Sequence, residues 1–378
     1  MAAVRPAPAL APRRAPLPRF AAFLRPLLRA AITGPLVAAL WLSLAAALAP
    51  TPLPAAASST VRIQGVSYID ARAQFAKLGY RADFAADSQT LTLRPKKPGD
   101  TGRELILNGD KREARLDGMR IFLGEPALLH KGALHLSAID YERFLLPILR
   151  PERQPARALR TIVIDAGHGG VDSGTQNKKH ALDEKHFALD VALRLEALLA
   201  GKNFRVVQTR TDDRFISLAQ RAELANAARP DLFVSIHFNA VANNPTVRGT
   251  ETYILTPQFQ RSTSALKADP SDKEKQVGNR HDAWSAVLGY HVHRELLGEL
   301  KSEDRGYKRA RFAVLRLVDC PAVLVEAGYL SNDAEALRIA DPSYRARIAE
   351  AVAEGILAYD AARRRAEDGA VLLPDLRR

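Results

Sequence analysis

Four side chains that can bind a metal ion or transfer a proton lie at the ends of predicted strands or at the start of a predicted helix. His168 follows a short apolar run and lies between glycines, His237 and Glu326 each end a later apolar run, and Glu184 opens a predicted helix. Hydrolytic zinc sites use three imidazole or carboxylate ligands and keep one position for water, and a further carboxylate can take the proton of that water. The residue types therefore predict a metal-assisted hydrolase, with plain hydrogen-bonding histidines as the alternative.

Alternating strands and helices from about residue 159 onwards would bring these side chains together. Such alternation is typical of a mostly parallel, twisted sheet with helices on both faces, and an α/β sheet presents reactive groups at the carboxyl ends of its strands. We therefore predict an α/β fold for this part of the chain. The predicted strands are 161–165, 204–209, 232–237, 250–255, 312–315 and 322–326, and the predicted helices are 184–199, 218–228, 283–300 and 344–366.

The segment 58–150 has a different pattern, and we predict that it forms a small α+β domain. Residues 61–69 are predicted as a strand, a short helix follows with Asp70 as its cap, and Asn108-Gly109 and Asp117-Gly118 predict hairpin turns between short strands. The order of helix, Leu-Gly, strand and Leu-Asn-Gly-Asp-Lys loosely resembles the N-terminal domain of copper amine oxidases. That resemblance implies no copper chemistry here, and the segment offers no acid/base pair or cluster of metal ligands.

The chain ends and the linker have compositions of their own. Residues 1–57 combine arginines, an apolar stretch and a run of small residues, which is typical of a signal peptide; a retained membrane anchor is the alternative, since about 20 apolar residues can span a bilayer. Residues 151–158 hold two prolines and several charges and are predicted as a linker. The catalytic domain would then span residues 159–366, and residues 367–378 would form a disordered tail.

Composition limits the classes of function. The chain has 378 residues and a net charge of +13, of which the leader supplies six arginines and no acid, so the rest keeps a net charge of +7. A mildly basic body suits a polyanionic partner, whereas no aromatic-rich basic patch or recognition motif points to nucleic acid. Cys320 is the only cysteine, which excludes an intramolecular disulfide, and its place before a buried strand predicts a core residue.

Four longer motifs surround the candidate residues. In chain order they are Ile-Asp-Ala-Gly-His-Gly-Gly-Val-Asp-Ser-Gly (164–174), Glu184-Lys185, Ser235-Ile-His-Phe-Asn-Ala240 and Val325-Glu-Ala-Gly-Tyr-Leu-Ser-Asn332. Together, over about residues 160–360, they resemble the zinc-dependent N-acetylmuramoyl-L-alanine amidases of the Amidase_3 (AmiC-like) family. Four motifs in this order are far more specific than a single Gly-His-Gly. The family usually has proline where Ala166 stands, but this change removes no ligand.

The resemblance implies a role for each candidate residue. His168, Glu184 and His237 would be the ligands of Zn²⁺, and Glu326 would be the catalytic carboxylate. The implied substrate is peptidoglycan, cleaved at the amide bond between N-acetylmuramic acid and L-alanine. Asn239 is a candidate to donate a hydrogen bond to a zinc ligand or to the substrate. Its alternative role is to shape the turn after the strand.

Location and partners follow from the same resemblance. The protein would be exported to the periplasm or cell envelope, with contact to the membrane only through the signal segment, and a regulatory activator protein is a candidate partner. Two other functions stay open: a wall carboxypeptidase with the same zinc chemistry, and a wall-binding protein with a vestigial zinc site, against which the intact Glu326 argues. The polar segment 256–282 is either a cover over the site or, more in keeping with its composition, a solvated insertion.

Overall fold

One continuous sheet organises the described part of the chain, which in the computed structural model comprises residues 60–97 and 103–372. The predicted signal peptide and residues 373–378 of the predicted tail lie outside the described residues. The strands of the sheet are β1 (Val61–Ile63), β2 (Val66–Asp70), β3 (Tyr80–Ala85), β4 (Thr90–Pro95), β5 (Leu105–Asn108), β6 (Lys111–Leu116), β7 (Met119–His130), β8 (Ala133–Ser137), β9 (Thr161–Ala166), β12 (Arg205–Gln208), β13 (Leu232–Asn239), β14 (Thr250–Leu255), β15 (Asp304–Ala310) and β16 (Ala322–Tyr329); a separate short hairpin holds β10 (Gln176–Asn177) and β11 (Leu182–Asp183). The strands of the sheet follow the order β12-β9-β13-β16-β14-β15-β7-β6-β5-β4-β3, and β8, β2 and β1 extend from β7.

Helices cover the sheet and complete the fold. They are α1 (Ala71–Lys77), α2 (Ala138–Asp140), α3 (Leu146–Leu149), α4 (Glu184–Ala200), α5 (Leu218–Ala227), α6 (Asp282–Leu300), α7 (Ala313–Leu317), α8 (Asp333–Ala340) and α9 (Pro342–Leu372), with a π-helical turn, Tyr141–Leu145, between α2 and α3. The Asp70 carboxylate accepts a hydrogen bond from Ala73 N at 2.9 Å, so the predicted cap of α1 is confirmed. None of the described helices has both the length and the apolar composition that crossing a bilayer requires.

The buried strands explain how the sheet acquires two covered faces. All six residues of β9 are buried, and β12, β9, β13 and β16 are mutually parallel, as expected for strands with apolar side chains on both sides. Ile162 and Ile164 join one apolar cluster with residues of α4, α6 and α9, whereas Val163 joins a second cluster with residues of α5 and α7. The predicted α/β class, a mostly parallel sheet with helices on both faces, is confirmed.

Two predicted strands were wrong in detail. Residues 312–315, predicted as a strand, belong largely to helix α7, and the strand that pairs with β14 in parallel is β15. Four of the seven residues of β15 are charged, so this strand lacks the apolar run by which the other strands were predicted. Residues 61–69 form a hairpin rather than one strand, because Gln64 (φ 49°) and Gly65 (φ 84°) make a turn with positive φ at both central positions.

The amino-terminal strands continue the sheet of the predicted catalytic part. Tyr307 of β15 pairs with Ile121 of β7, and the Arg309 guanidinium contacts the Asp140 carboxylate at 2.6 Å with both side chains buried. The described residues from 60 onwards belong to one compact unit. The division into domains at residues 58–150, 151–158 and 159–366 stays a prediction; helix α9 reaches Leu372, six residues into the segment for which a disordered tail is predicted.

The segment 256–282 packs against the amino-terminal strands. Gln260 donates to Ser137 Oγ at 3.2 Å, and Arg112 donates to the carbonyl oxygen of Ser262 at 3.0 Å. Thr256 and Gln260 are buried, and the segment contains two 3₁₀ turns, Pro270–Lys273 and Val277–His281. Residues 256–282 do not line the cleft that contains His168 and Glu326.

Candidate metal centre and catalytic cleft

The carboxyl ends of three neighbouring strands carry the predicted site. His237 of β13 stands beside Glu326 of the parallel strand β16 in the sheet register. Glu326 in turn stands beside Glu251, near the amino end of β14, which is antiparallel to β16, so that these three side chains share one row on one face. His168 follows β9, the other neighbour of β13. The parallel arrangement therefore brings together residues that lie far apart in sequence.

Three of the predicted residues form a cluster that can hold a metal ion. One ligand atom each from His168, Glu184 and His237 lies within 4.8 Å of the others. His168 Nε2 is 3.2 Å from Glu184 Oε2, and His237 Nδ1 is 2.9 Å from Glu184 Oε1. Zinc bonds of about 2.1 Å in a tetrahedral arrangement place ligand atoms about 3.3 Å apart. The donor types and their spacing thus fit Zn²⁺.

Glu184 is fixed before any ion binds. Its side chain is only 3% exposed, and its two oxygens accept hydrogen bonds from Thr175 N at 2.8 Å and Phe238 N at 3.0 Å. Burial by itself would raise the pKa of Glu184, but the hydrogen bonds and charges of His168 and His237 outweigh it and hold the pKa well below its usual value. The carboxylate is therefore kept ionised, which is the form that binds a metal.

His168 is oriented by a residue four positions further on. Its Nδ1 lies 2.9 Å from Asp172 Oδ2, which leaves Nε2 directed at Glu184. Burial opposes a charged imidazole, but Glu184 and Asp172 overcome this and raise the pKa of His168. A carboxylate on the second ring nitrogen fixes the tautomer and the ring direction of metal-binding histidines. Asp172 was not singled out from the sequence, although it lies within the first motif.

Two buried arginines hold the glycine turn that carries His168. Arg221 donates to the carbonyl oxygens of Ala166 and His168 at 2.6 Å, and Arg210 donates to those of Ala166 and Gly167 at 2.9 and 2.6 Å. Asp165 is fully buried and accepts from Arg221 at 2.7 Å; burial would raise its pKa, but Arg221 holds the pKa below its usual value. Asp165 thus fixes the turn rather than contacting the cluster.

Glu326 has the surroundings of a proton carrier. Its Oε2 is buried and has no hydrogen-bond partner among the described residues. Burial, together with the negative charges of Glu184 and Glu251, raises the pKa of Glu326 well above its usual value. It lines a cleft of about 580 Å³ with His168 and His237. The rest of the lining is largely apolar: Phe215, Ile216, Leu218, Phe312, Ala313, Val314 and Leu324, with the polar Asp165, Asp172, Ser217 and Arg221.

Asn239 lies beside the cluster but faces another residue. Its Nδ2 donates to Glu251 Oε2 at 3.0 Å, and its Oδ1 accepts from Ala240 N at 2.7 Å. The side chain therefore both shapes the turn and contacts Glu251. Glu251 was not singled out from the sequence, since only the pairing of β14 with β16 brings it opposite Glu326.

The remaining histidines and the cysteine lie outside the three-residue metal cluster. His180 approaches Asp333 and His186 approaches Asp213, each at 3.8 Å. His293 contacts Asp304 at 3.0 Å, and His281 contacts Asp319 at 2.8 Å. Cys320 is buried in the second apolar cluster, as predicted, and burial raises the pKa of its thiol.

The fold and the site together define a class of protein. It is an α/β protein with a His–Glu–His cluster at the carboxyl ends of parallel strands, and the two histidines of the cluster line one cleft together with Glu326. Residues 162–358 match the N-acetylmuramoyl-L-alanine amidase family. The chain belongs to this family.

Individual relatives cover different shares of the chain. AmiA of Escherichia coli, an N-acetylmuramoyl-L-alanine amidase, is 29% identical over 289 residues, which cover 71% of this chain and 94% of AmiA. AmiC of Neisseria meningitidis is 34% identical over 219 residues and covers 52% of each chain. The crystal structure of N-acetylmuramoyl-L-alanine amidase from Clostridium difficile 630 is 35% identical, covers 54% of this chain and 97% of that chain, and has a TM-score of 0.45.

Proposed function

We propose that this protein hydrolyses the amide bond between N-acetylmuramic acid and L-alanine in peptidoglycan. One observation carries the proposal: a chain of the amidase family keeps ligand atoms of three candidate metal-binding residues within 4.8 Å of one another, and two of these residues, His168 and His237, line the same cleft as Glu326. His168, Glu184 and His237 would hold Zn²⁺, and Glu326 would be the catalytic acid and base. When bound, Zn²⁺ would act as a Lewis acid and lower the pKa of a water molecule towards neutrality.

Glu326 would move the proton that amide hydrolysis requires. Its carboxyl group lines the cleft and can take a proton from the attacking water, and its Oε2 has no competing hydrogen-bond partner among the described residues. As the carbon–nitrogen bond breaks, the same carboxyl group can give that proton to the departing amine of L-alanine. The raised pKa of Glu326 suits both steps, because it makes the ionised carboxylate a stronger base and lets the carboxyl group keep the proton near neutral pH until the amine departs.

The neighbours of the cluster keep its members in place for this reaction. Asp172 would hold the His168 ring so that Nε2 faces the ion, and Thr175 N and Phe238 N would hold the Glu184 carboxylate. The apolar residues of the cleft would limit water around the scissile amide, which strengthens electrostatic interactions there.

The cellular setting is part of the proposal. The predicted signal peptide would direct the protein to the periplasm or cell envelope, where its substrate lies, and the basic net charge of the chain suits a polyanionic wall. A regulatory activator protein is a candidate partner, and no role for nucleic acid is proposed.

Digestion of purified sacculi by the mature protein with added Zn²⁺ tests the function. We expect peptides with a free L-alanine amino group and glycan strands that lack peptides. The Glu326→Gln variant should bind one Zn²⁺ per chain and turn over at least ~100-fold more slowly, the range typical of a lost acid–base catalyst. The matched control, Glu350→Gln, removes an exposed carboxylate on α9 and should keep wild-type activity.

Four outcomes would contradict the proposal. Release of only a terminal D-amino acid would assign a carboxypeptidase instead. Wall binding without any cleavage would assign a binding protein. Full activity of Glu326→Gln would exclude Glu326 as the proton carrier, and cleavage that a chelator does not reduce would exclude the metal.

A further inference from the structure

A buried glutamate and a partly buried one stand opposite each other on neighbouring strands at the cleft. Glu251 of β14 is 2% exposed and stands opposite Glu326 of β16 in the antiparallel register. Both side chains lie on the sheet face that also carries His237. Either carboxyl group could therefore serve as the proton carrier by position alone, and their contacts decide between them.

The contacts of the two carboxyl groups differ completely. Glu251 Oε1 accepts from Lys308 Nζ and from Tyr329 Oη at 2.6 Å, and Glu251 Oε2 accepts from Tyr253 Oη at 2.7 Å and Asn239 Nδ2 at 3.0 Å. Four donors on two oxygens leave Glu251 little capacity for another proton or for water. Glu326 Oε2, in contrast, has no partner within the described part of the chain.

Lys308 is the cation of this network and lies within the influence of both glutamates. It stands on β15 next to Tyr253 of β14, and its side chain is 16% exposed. Its Nζ lies 5.7 Å from the centre of the Phe122 ring and 5.8 Å from that of Tyr253. A lysine ammonium on four flexible carbons can turn towards whichever nearby carboxylate is free. Glu251 is the carboxylate that it contacts here.

We propose that Glu251 is a positioning residue that binds Lys308 and so keeps the ammonium group away from Glu326. An ion pair between Lys308 and Glu326 would occupy the lone pairs of Glu326 and make it a poorer proton acceptor. The Glu251–Lys308 pair prevents this and leaves the Glu326 carboxyl group without a cationic partner. This inference rests on the proposed function, since it assigns Glu326 the proton transfer.

A second substitution that restores activity is the test. We expect Glu251→Gln to lower kcat by about 100-fold, the usual effect of disabling an acid–base group, with KM and zinc content near the wild-type values. In Glu251→Gln/Lys308→Gln the ammonium group is absent. We therefore expect kcat to be at least ~10-fold higher than in the single variant, which restores about a tenth of the wild-type kcat. The exposed pair Glu350→Gln/Lys202→Gln is the matched control and should leave kcat unchanged.

A crystal structure of Glu251→Gln gives a readout that does not depend on turnover. We expect the distance between Lys308 Nζ and a Glu326 oxygen to be about 4 Å or less, which is the usual limit for an ion pair. Unchanged activity of Glu251→Gln, a double variant no more active than the single one, or a Lys308 that stays away from Glu326 would each overturn the inference. If Glu251→Gln does not fold, Glu251→Ala against Glu251→Ala/Lys308→Ala makes the same comparison. A wild-type enzyme without amidase activity would instead contradict the proposed function, while the crystal structure would still decide where Lys308 binds.

Discussion

At the scale of single residues, glycines shape the candidate metal cluster because they have no side chain. A Cβ atom built on Gly167 would lie 2.2 Å from His237 Cε1, and one built on Gly174 would lie 2.6 Å from Glu184 Oε2. These distances are far below van der Waals contact, so any larger residue must displace a ligand. The glycines around His168 therefore make room for the neighbouring ligands.

Gly167→Ala tests this requirement for space. The methyl group should push the His237 ring away from Glu184 and weaken zinc binding by roughly 10- to 100-fold, as for the loss of other supporting contacts around a metal ligand. Competition with a chromophoric chelator would measure the affinity. Gly201→Ala is the matched control, because its Cβ meets nothing within 4 Å, and it should bind zinc as the wild type does. Equal zinc affinity of the two variants would show that the close approach is not needed.

Local sequence motifs pointed to side chains that the structure brings close together. His168, Glu184, His237 and Glu326 were all proposed from motifs at strand ends, and the structure brings them into one cleft or its wall. Glu251 escaped notice because its role depends on the register of β14 against β16, which no local pattern encodes.

At the scale of elements, helix α6 carries a histidine whose protonation is unfavourable in the folded protein. His291 is 5% exposed, and its Nδ1 has no hydrogen-bond partner among the described residues. Burial, followed by the positive charges of Arg103, Arg294 and Arg365, lowers the pKa of His291 to about 3. The folded protein therefore holds this imidazole neutral over the pH range in which an unfolded histidine becomes charged.

Acid should destabilise the fold through His291. In the unfolded chain His291 binds a proton below about pH 6.5, whereas in the folded chain it binds one only near pH 3. Because the unfolded state binds more protons between these values, the free energy of unfolding falls as pH falls. The loss should reach on the order of 3 kcal/mol by pH 4. Urea unfolding of metal-free protein between pH 7 and 4 should show a shallower decline for His291→Leu. His130→Gln, at a partly exposed position, should keep the wild-type decline; equal slopes for all three proteins would refute the assignment.

Strand β15 shows where prediction of elements fails. Its buried Arg309 would be unfavourable in a strand read alone, but Asp140, Gln260 and the carbonyl oxygen of Phe122 all accept hydrogen bonds from it. Those partners come from distant parts of the chain, so the strand is stable only in the assembled structure. The strands β9, β13 and β16 were predictable because their apolar side chains require burial whatever their neighbours are.

At the scale of the whole molecule, the amino-terminal strands and the amidase region share one sheet and a buried ion pair. Asp140 accepts from Arg309 at 2.6 Å and from Gly124 N at 2.8 Å, with both charged side chains almost fully buried. Lys308, which contacts Glu251 beside the cleft, is also close to this junction, since it lies over the Phe122 ring of β7. We therefore expect the two regions to unfold together.

Asp140→Asn tests this coupling. The substitution leaves the Arg309 charge buried without a counter-charge, which typically costs about 3–5 kcal/mol, and the midpoint of thermal unfolding should fall by roughly 6–15 °C. Calorimetry should show one transition that moves as a whole, because β7 and β15 belong to the same sheet. The control Asp83→Asn breaks a pair whose side chains are 41% and 62% exposed, and it should change stability by less than about 1 kcal/mol. Two separate transitions, with only one displaced by Asp140→Asn, would mean that the amino-terminal strands fold independently of the catalytic cleft.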